Sequence, residues 1–268
     1  MQHPELSLVI PTCNERASIA PLVEELDAAL GSLAWEAVFV DDSTDGTDAL
    51  LAELGKADSR IRLLHRAVNR DGLAGAVVDG LVKARGAYIC VMDADLQHPP
   101  ARIPELLATA RESGADLVIA SRYVPGGSTG GLQGPLRQLY SRGLRQLALW
   151  TFPRRLGQVT DPLGGYFVLR RAIIDGVQLR PIGYKILLEL LVRCQWRNVR
   201  EVAYAFEPRR LGTSKASFRQ GVWFLQHLAR LARDCSPSLR CLKSLGTAAY
   251  AQGQMADDPG DQSRAHAY

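Results

Sequence analysis

Asp93, Ala94 and Asp95 follow the apolar run YICVM and precede Leu96-Gln97-His98-Pro99-Pro100. In an extended segment, residues i and i+2 face the same side, so both carboxylates can point into one cleft. Two carboxylates and the side-chain carbonyl of Gln97 are hard oxygen donors. They suit Mg2+ or Mn2+, ions that keep open positions for diphosphate oxygens. An ion held there neutralises the charge that builds on a departing nucleotide. Two more polar clusters, PTCNE at 11–15 and DDSTDGT at 41–47, each follow an apolar run of their own.

The elements that must position these clusters alternate in type through the first 121 residues. Strand-like runs at Leu6–Ile10, Glu36–Val40, Ile61–Leu64, Ala87–Met92 and Leu117–Ala120 are separated by helical spacing at Ser18–Leu30, Thr47–Leu54, Leu73–Ala84 and Pro100–Ser113. Continuous apolar strands between helices predict an α/β fold, a mostly parallel sheet covered on both faces. Ligands in such a sheet bind at the carboxyl ends of the strands, where all three clusters lie. After Ser121 comes the glycine-rich loop YVPGGSTGGLQGP, a candidate lid. Helices follow at Arg137–Trp150, Gly183–Cys194 and Ser217–Arg233, with strands at Gly165–Leu169 and Val199–Phe206. The segment 236–268 is expected to be a disordered tail.

Charge divides the chain. Residues 1–116 carry 10 Lys/Arg and 19 Asp/Glu, and residues 117–268 carry 22 and 9, so the overall +4 conceals two opposite halves. Between Leu117 and Thr160 there are six arginines and no acid. The second half is therefore expected to meet anions, while the first donates carboxylates to a cation. A phosphate monoester, dianionic above its second pKa of about 6, would fit that strip as a nucleophile that needs no protein base. A sugar hydroxyl would call for a carboxylate base.

Several classes are disfavoured. The first turn lacks GxGxxG, no His or Cys pair has zinc spacing, and Ser43, Ser121 and Ser141 sit in no GxSxG elbow. Five scattered cysteines suit a reducing compartment, and the N-terminus has no basic n-region. No stretch approaches the roughly 20 apolar residues of a membrane span. Cytoplasmic localisation is the expectation. Ser217–Arg233 places Phe218, Val222, Leu225, Leu228 and Leu231 on one face, and Arg137–Trp150 with its preceding residue does so with Leu136, Tyr140, Leu144 and Leu147. Both read as amphipathic helices lying on a membrane surface.

PTCNE, VDDSTDGT, GLAGA, DADLQHPP, ASRYV, DPLGGYFVLRR, GYKILLELL and RRLGTSK occur here in the order typical of one family. Over about residues 6–220 the chain resembles the polyprenol-phosphate (dolichol-phosphate) mannosyltransferase branch of the family-2 glycosyltransferases. The resemblance implies a GT-A fold over residues 1–235, with a nucleotide-binding half (1–121) and an acceptor- and lipid-facing half (122–235). It implies nucleotide-sugar contacts at Pro11, Cys13, Glu15, Val40, Asp42, Asp93, Ala94, Arg209, Ser214 and Lys215. It places the metal on Asp93, Asp95 and Gln97, and the catalytic roles on Asp95, Arg122 and Arg137, the arginines addressing the acceptor phosphate. Cys13 stands where the family usually has Tyr, and GGYF (164–167) where it has SGFF. The expected partners are GDP-mannose or a UDP-hexose, polyprenyl phosphate and the cytoplasmic face of a membrane. UDP-glucose as donor and a saccharide as acceptor are the alternatives. A nucleic-acid binder, drawn by the basic half, would leave the acidic clusters unexplained and repelled by its ligand.

Overall fold

Leu6–Thr12 (β1) and Trp35–Asp41 (β2) are buried along their whole length and pair in parallel, Leu6 opposite Trp35 and Thr12 opposite Asp41. Strands buried on both faces need helices above and below them. The computed structural model describes residues 3–68, 71–131, 134–208 and 218–235. Its other strands are β3 (Ile61–His65), β4 (Tyr88–Val91), β5 (Leu117–Ser121), β6 (Phe167–Arg170) and β7 (Val199–Ala203). They form one sheet in the order β3-β2-β1-β4-β6-β5-β7.

All pairings are parallel except those of β6, which runs antiparallel to β4 and to β5. That reversal matters for the site. The edge where β1, β2, β4 and β5 end is the edge where β6 begins, so the segment 161–166 is delivered beside Asp93 and Arg122. The sheet thereby interleaves the two expected halves, with β6 of the second half inserted between two strands of the first.

The helices are α1 (Arg16–Leu30), α2 (Thr47–Ala57), α3 (Gly72–Lys83), α4 (Ile103–Glu112), α5 (Pro135–Thr151), α6 (Pro153–Leu156), α7 (Ile186–Arg193) and α8 (Phe218–Cys235). Leu22 and Leu26 of α1, Leu51 of α2 and Leu106 of α4 share one core with the sheet. Val77 of α3, Leu187 and Leu191 of α7 and Phe224 and Leu231 of α8 share the core on the other face.

Two helix faces differ from expectation. Leu228 and Leu231 of α8 are buried in the core together with Phe224, and the exposed apolar residues are Val222, Trp223 and Leu225. In α5, Leu144 and Leu147 pack against the core, while Leu139, Tyr140 and Trp150 face outward. Helical spacing finds an apolar stripe but cannot say whether protein or another surface covers it. A side chain on Gly221 would collide with the Tyr140 hydroxyl, so α5 and α8 meet closely there. No helix among the described residues is long and apolar enough to cross a membrane. The expected tail at 236–268 lies outside the described residues.

Helix α3 lies unusually close to the sheet at Gly80, where an added Cβ would sit 2.4 Å from Val9 Cγ1 and 3.0 Å from Val40 Cγ2. Both valines are buried and stiff at χ1, so neither can swing away. Overpacking of this kind costs about 1–3 kcal/mol, more than the roughly 1 kcal/mol that alanine gains over glycine in a helix. Gly80→Ala should lower the thermal midpoint, measured by circular dichroism or calorimetry.

Candidate active site

The nucleotide side of the cleft forms where β1 and β2 end. Pro11 and Val40 are buried and face each other in register. Asp41, wholly buried, accepts from Thr12 Oγ1 at 3.0 Å and Ser43 Oγ at 2.5 Å, and His65 Nδ1 lies 3.1 Å away. It braces the turn that leads into Asp42. Asp42 is itself forked by Arg66, through Nε at 2.7 Å and through the terminal NH2 group. Arg66 also reaches Asp79 at 3.1 Å and the Gly72 carbonyl at 3.1 Å. Cys13 Sγ lies 3.8 Å from the Asp42 carbonyl oxygen. Glu15 precedes α1 without a side-chain capping bond and, with Asn14, Arg16 and Asp45, lines an open cavity of about 510 Å³.

At the end of β4 the chain turns sharply. Leu96 has φ +62°, a left-handed conformation that a leucine adopts only under constraint. The constraint is visible. The Asp93 amide donates to His98 Nδ1 at 3.0 Å, and the Gln97 amide to Asp95 Oδ1 at 3.1 Å. Gln97 Nε2 donates to the Glu207 carbonyl at 2.7 Å, which turns the Gln97 side-chain oxygen to other use. His98 is sealed by aromatic rings, stacked on Tyr166 at 5.1 Å and edged by Tyr204 and Phe206. Asp93 remains about one-third exposed.

These donors fit a divalent cation. Two carboxylates and an amide carbonyl are all oxygen ligands, and no cluster of three or more His, Cys, Asp or Glu occurs among the described residues. A partial oxygen set of this kind leaves the remaining positions to substrate phosphates.

On the far side of β4 the charge becomes positive. Arg122, just beyond β5, grips Asp161 with Nε to Oδ2 at 2.7 Å and NH2 to Oδ1 at 2.8 Å. Its own amide adds a third bond to Oδ2 at 3.2 Å. Asp161 is wholly buried, and Glu201 of β7 accepts its backbone N–H at 2.9 Å. Arg122, Arg142 and Arg145 line a cavity of about 690 Å³ with Tyr123, Ser128 and Thr129. The Arg145 guanidinium lies 4.5 Å over the Tyr123 ring, and its Nε donates to the Thr160 carbonyl.

A family model described as "Glycosyl transferase family 2" matches residues 7–177. The chain belongs to that family. Its relatives place this family 2 member in the dolichol-phosphate mannosyltransferase branch. It is 37% identical to the "Dolichol-phosphate mannosyltransferase" of Pyrococcus furiosus over 85% of this chain and 64% of that one. It is 32% identical to the protein of the same name in Saccharomyces cerevisiae, over 85% and 86%. The chain thus spans just under two thirds of the archaeal relative's length. Glucosyl-3-phosphoglycerate synthase from Mycobacterium tuberculosis, solved with Mn2+, UDP and glucosyl-3-phosphoglycerate, superposes with a TM-score of 0.66. At 21% identity over 87% of this chain and 80% of that one, it establishes the GT-A fold. The chain is a glycosyltransferase.

In this family 2 enzyme the structure brings Asp93, Ala94, Asp95 and Gln97 into one turn, with Arg122 across β6 from them. Arg137 lies in α5 near the Tyr184 ring, whose hydroxyl it draws downward against a burial that pushes it up to about 12. Arg209, Ser214 and Lys215 lie outside the described residues. Sequence reasoning assigned no role to Lys185, whose Nζ donates to the Leu163 carbonyl at 2.9 Å and lies 4.5 Å over the Tyr184 ring. Burial in the cleft, reinforced by Arg122, pushes its ammonium down to about 8 against the opposing pull of Asp161 and Asp93. The signal in the sequence was a lysine opening a helix, GYKILLELL, whose one other charged residue is Glu189. Asp161, ahead of Pro162, is the counter-ion of Arg122.

Two histidines, His98 and His227, are buried and each pushed down to about 4, chiefly by desolvation. The unfolded imidazole takes up its proton near 6.5 and the folded one near 4. Stability is therefore full above pH 6.5 and falls as the pH drops towards 4. Each shift corresponds to roughly 3 kcal/mol. The thermal midpoint should decline steeply from pH 6.5 to 4, and His98→Phe should flatten that decline in melts recorded across this range.

Proposed function

We propose that the cleft transfers a hexose, mannose from GDP-mannose, to the phosphate of a polyprenyl or dolichyl phosphate, with inversion at the anomeric carbon. One observation carries the reading: the carboxylate beside the acceptor-side arginine, Asp161, is wholly spent on Arg122, while Arg142 and Arg145 line the adjoining cavity. A hydroxyl nucleophile would need a base there, whereas a phosphate brings its own charge. The names of the curated relatives support the same acceptor.

The order of charges along the sheet edge suits a displacement. Pro11, Cys13, Glu15, Val40 and Asp42 would receive the nucleoside where β1 and β2 end. The diphosphate would then reach the end of β4. Mg2+ or Mn2+, held by Asp93, Asp95 and Gln97, would supply neutralisation of the diphosphate charge there. Lys185 would add cationic charge beside the diphosphate, Arg137 would address the acceptor phosphate with Arg122, and Arg209, Ser214 and Lys215 would meet the donor phosphates. The lipid phosphate would sit in the cavity of Arg122, Arg142 and Arg145. A phosphate oxygen attacks the anomeric carbon, and the bond from that carbon to the diphosphate oxygen breaks with both electrons leaving on the nucleotide. Attack from the side opposite the leaving group inverts the centre. No proton needs to move.

A lipid acceptor requires the cleft to approach a bilayer. Leu139, Tyr140 and Trp150 of α5 and Val222, Trp223 and Leu225 of α8 are exposed on two helices that touch at Tyr140 and Gly221. Aromatic and aliphatic side chains flanked by arginines suit peripheral contact with an anionic, cytoplasmic membrane face.

Enzyme incubated with membranes, Mn2+ and radiolabelled GDP-mannose should move label into the organic-solvent extract, and radiolabelled UDP-glucose should not. Asp95→Ala should cut that transfer by about 100-fold or more, the scale of losing one transition-state electrostatic contact. Label entering the extract only from UDP-glucose would replace the donor. Label entering only a water-soluble saccharide would replace the acceptor.

Arg142→Ala should raise the KM for polyprenyl phosphate about tenfold, the order expected for one charge-assisted phosphate contact. Nucleotide binding, followed by calorimetry, should stay unchanged.

A further inference from the structure

The segment Arg180–Lys185 enters α7 without regular structure, and four of its backbone polar groups are held from other elements. Glu189 Oε1 of α7 accepts the Arg180 N–H at 2.6 Å, and Arg230 of α8 donates to the Arg180 carbonyl at 3.2 Å. His227 Nδ1 of α8 accepts the Ile182 N–H at 2.9 Å. The Gly183 carbonyl accepts from Ala74 of α3 at 2.9 Å, and Gly183 itself, at φ +83°, packs under the Trp223 side chain. Two residues later stands Lys185, in the cleft.

The groups that hold this segment are costly to bury. Glu189 and His227 are wholly buried, with His227 Nε2 3.4 Å from Glu189 Oε2, and neither atom has a hydrogen-bond partner among the described residues. Because Nδ1 accepts a hydrogen bond from the Ile182 N–H, the neutral ring carries its proton on Nε2, on the side of the Glu189 carboxylate. Arg193 binds Glu189 Oε1 at 2.5 Å and Asp234 at 2.8 Å, fastening α7 to α8. An apolar pair in this core would avoid that desolvation. A buried polar pair that serves only to pack α8 is a poor design, whereas one that fixes a backbone is a purposeful one.

We propose that His227 and Glu189 are positioning residues: through the backbone of Arg180 and Ile182 they hold Lys185 at its place in the cleft, so that α8 sets the geometry of a cation beside the donor phosphates. This rests on the reading of Lys185 given under the proposed function. It makes α8 a strap as well as a surface element. The same helix that carries Trp223 and Leu225 outward fixes, from its inner face, the approach to the site.

The test uses the full chain and three readouts. The acylation rate of Lys185 by an amine-reactive ester, quantified by mass spectrometry, reports its placement independently of catalysis. His227→Phe keeps the ring and removes the acceptor; it should raise that rate several-fold and raise the nucleotide-sugar KM about tenfold. His227→Asn, whose Oδ1 can stand near the Nδ1 position, should restore most of both. In a Lys185→Ala background, His227→Phe should no longer change the donor KM, which a purely structural role could not produce. If His227→Phe yields no folded protein, Glu189→Gln, which weakens the hold on Arg180, should show the same two changes to a smaller degree. A lowered thermal midpoint with unchanged Lys185 acylation would overturn the proposal. Faster acylation with an unchanged donor KM would uphold the strap and remove Lys185 from donor binding.

Discussion

The fork between Arg122 and Asp161 is the interaction on which the acceptor side of the molecule depends. It ties the end of β5 to the segment that enters β6, and Glu201 extends it to β7 through the Thr160 and Asp161 amides. Both partners are almost wholly buried, so removing either would strand a charge at a cost of roughly 3–5 kcal/mol. The pair also decides the chemistry. It withdraws the Asp161 carboxylate from service as a base beside Arg122, and Arg145 lies over the ring of the neighbouring Tyr123. A cavity with cationic walls remains.

Across β6, an acidic turn is held in strained geometry by neutral groups. Leu96 in the left-handed region and His98 accepting the Asp93 amide are two parts of one device. The imidazole is kept uncharged by Tyr166, Tyr204 and Phe206, so it can serve as an acceptor at physiological pH. A protonated ring would lose that lone pair and add a positive charge beside Asp93. The aromatic box thus protects the arrangement of carboxylates more than it stabilises the core.

These two devices face each other because β6 runs against its neighbours. In an all-parallel sheet the segment before a strand emerges at the opposite edge from the segment after the one beside it. Reversal of β6 brings Asp161–Tyr166 to the edge that carries Asp93 and Arg122. The acidic first half and the basic second half of the chain are interleaved there, and opposite charges line the two walls of one cleft.

Much of this is legible in the order of residues. Apolar runs separated by helical spacing determine the strands and helices of the first 121 residues, because hydrophobic burial is local in its pattern. The DADLQHPP string, the arginine strip without acids and the late RRLGTSK point to the family and to the acidic turn, because their chemistry is carried by neighbours in the chain. Other features are set by partners far apart in sequence. That Asp161 belongs to Arg122, 39 residues away, follows only from the reversal of β6. That Leu228 and Leu231 face the core while Trp223 and Leu225 face outward depends on where α7 lies, since an apolar stripe has no label for what covers it. Lys185 is one of five lysines until the sheet brings Asp93, Asp161 and Arg122 around it, and burial then lowers its proton affinity. Sequence determined which groups the protein has; tertiary structure decided which of them are spent on one another and which are left to meet a substrate, because pairing and desolvation are properties of distance in space.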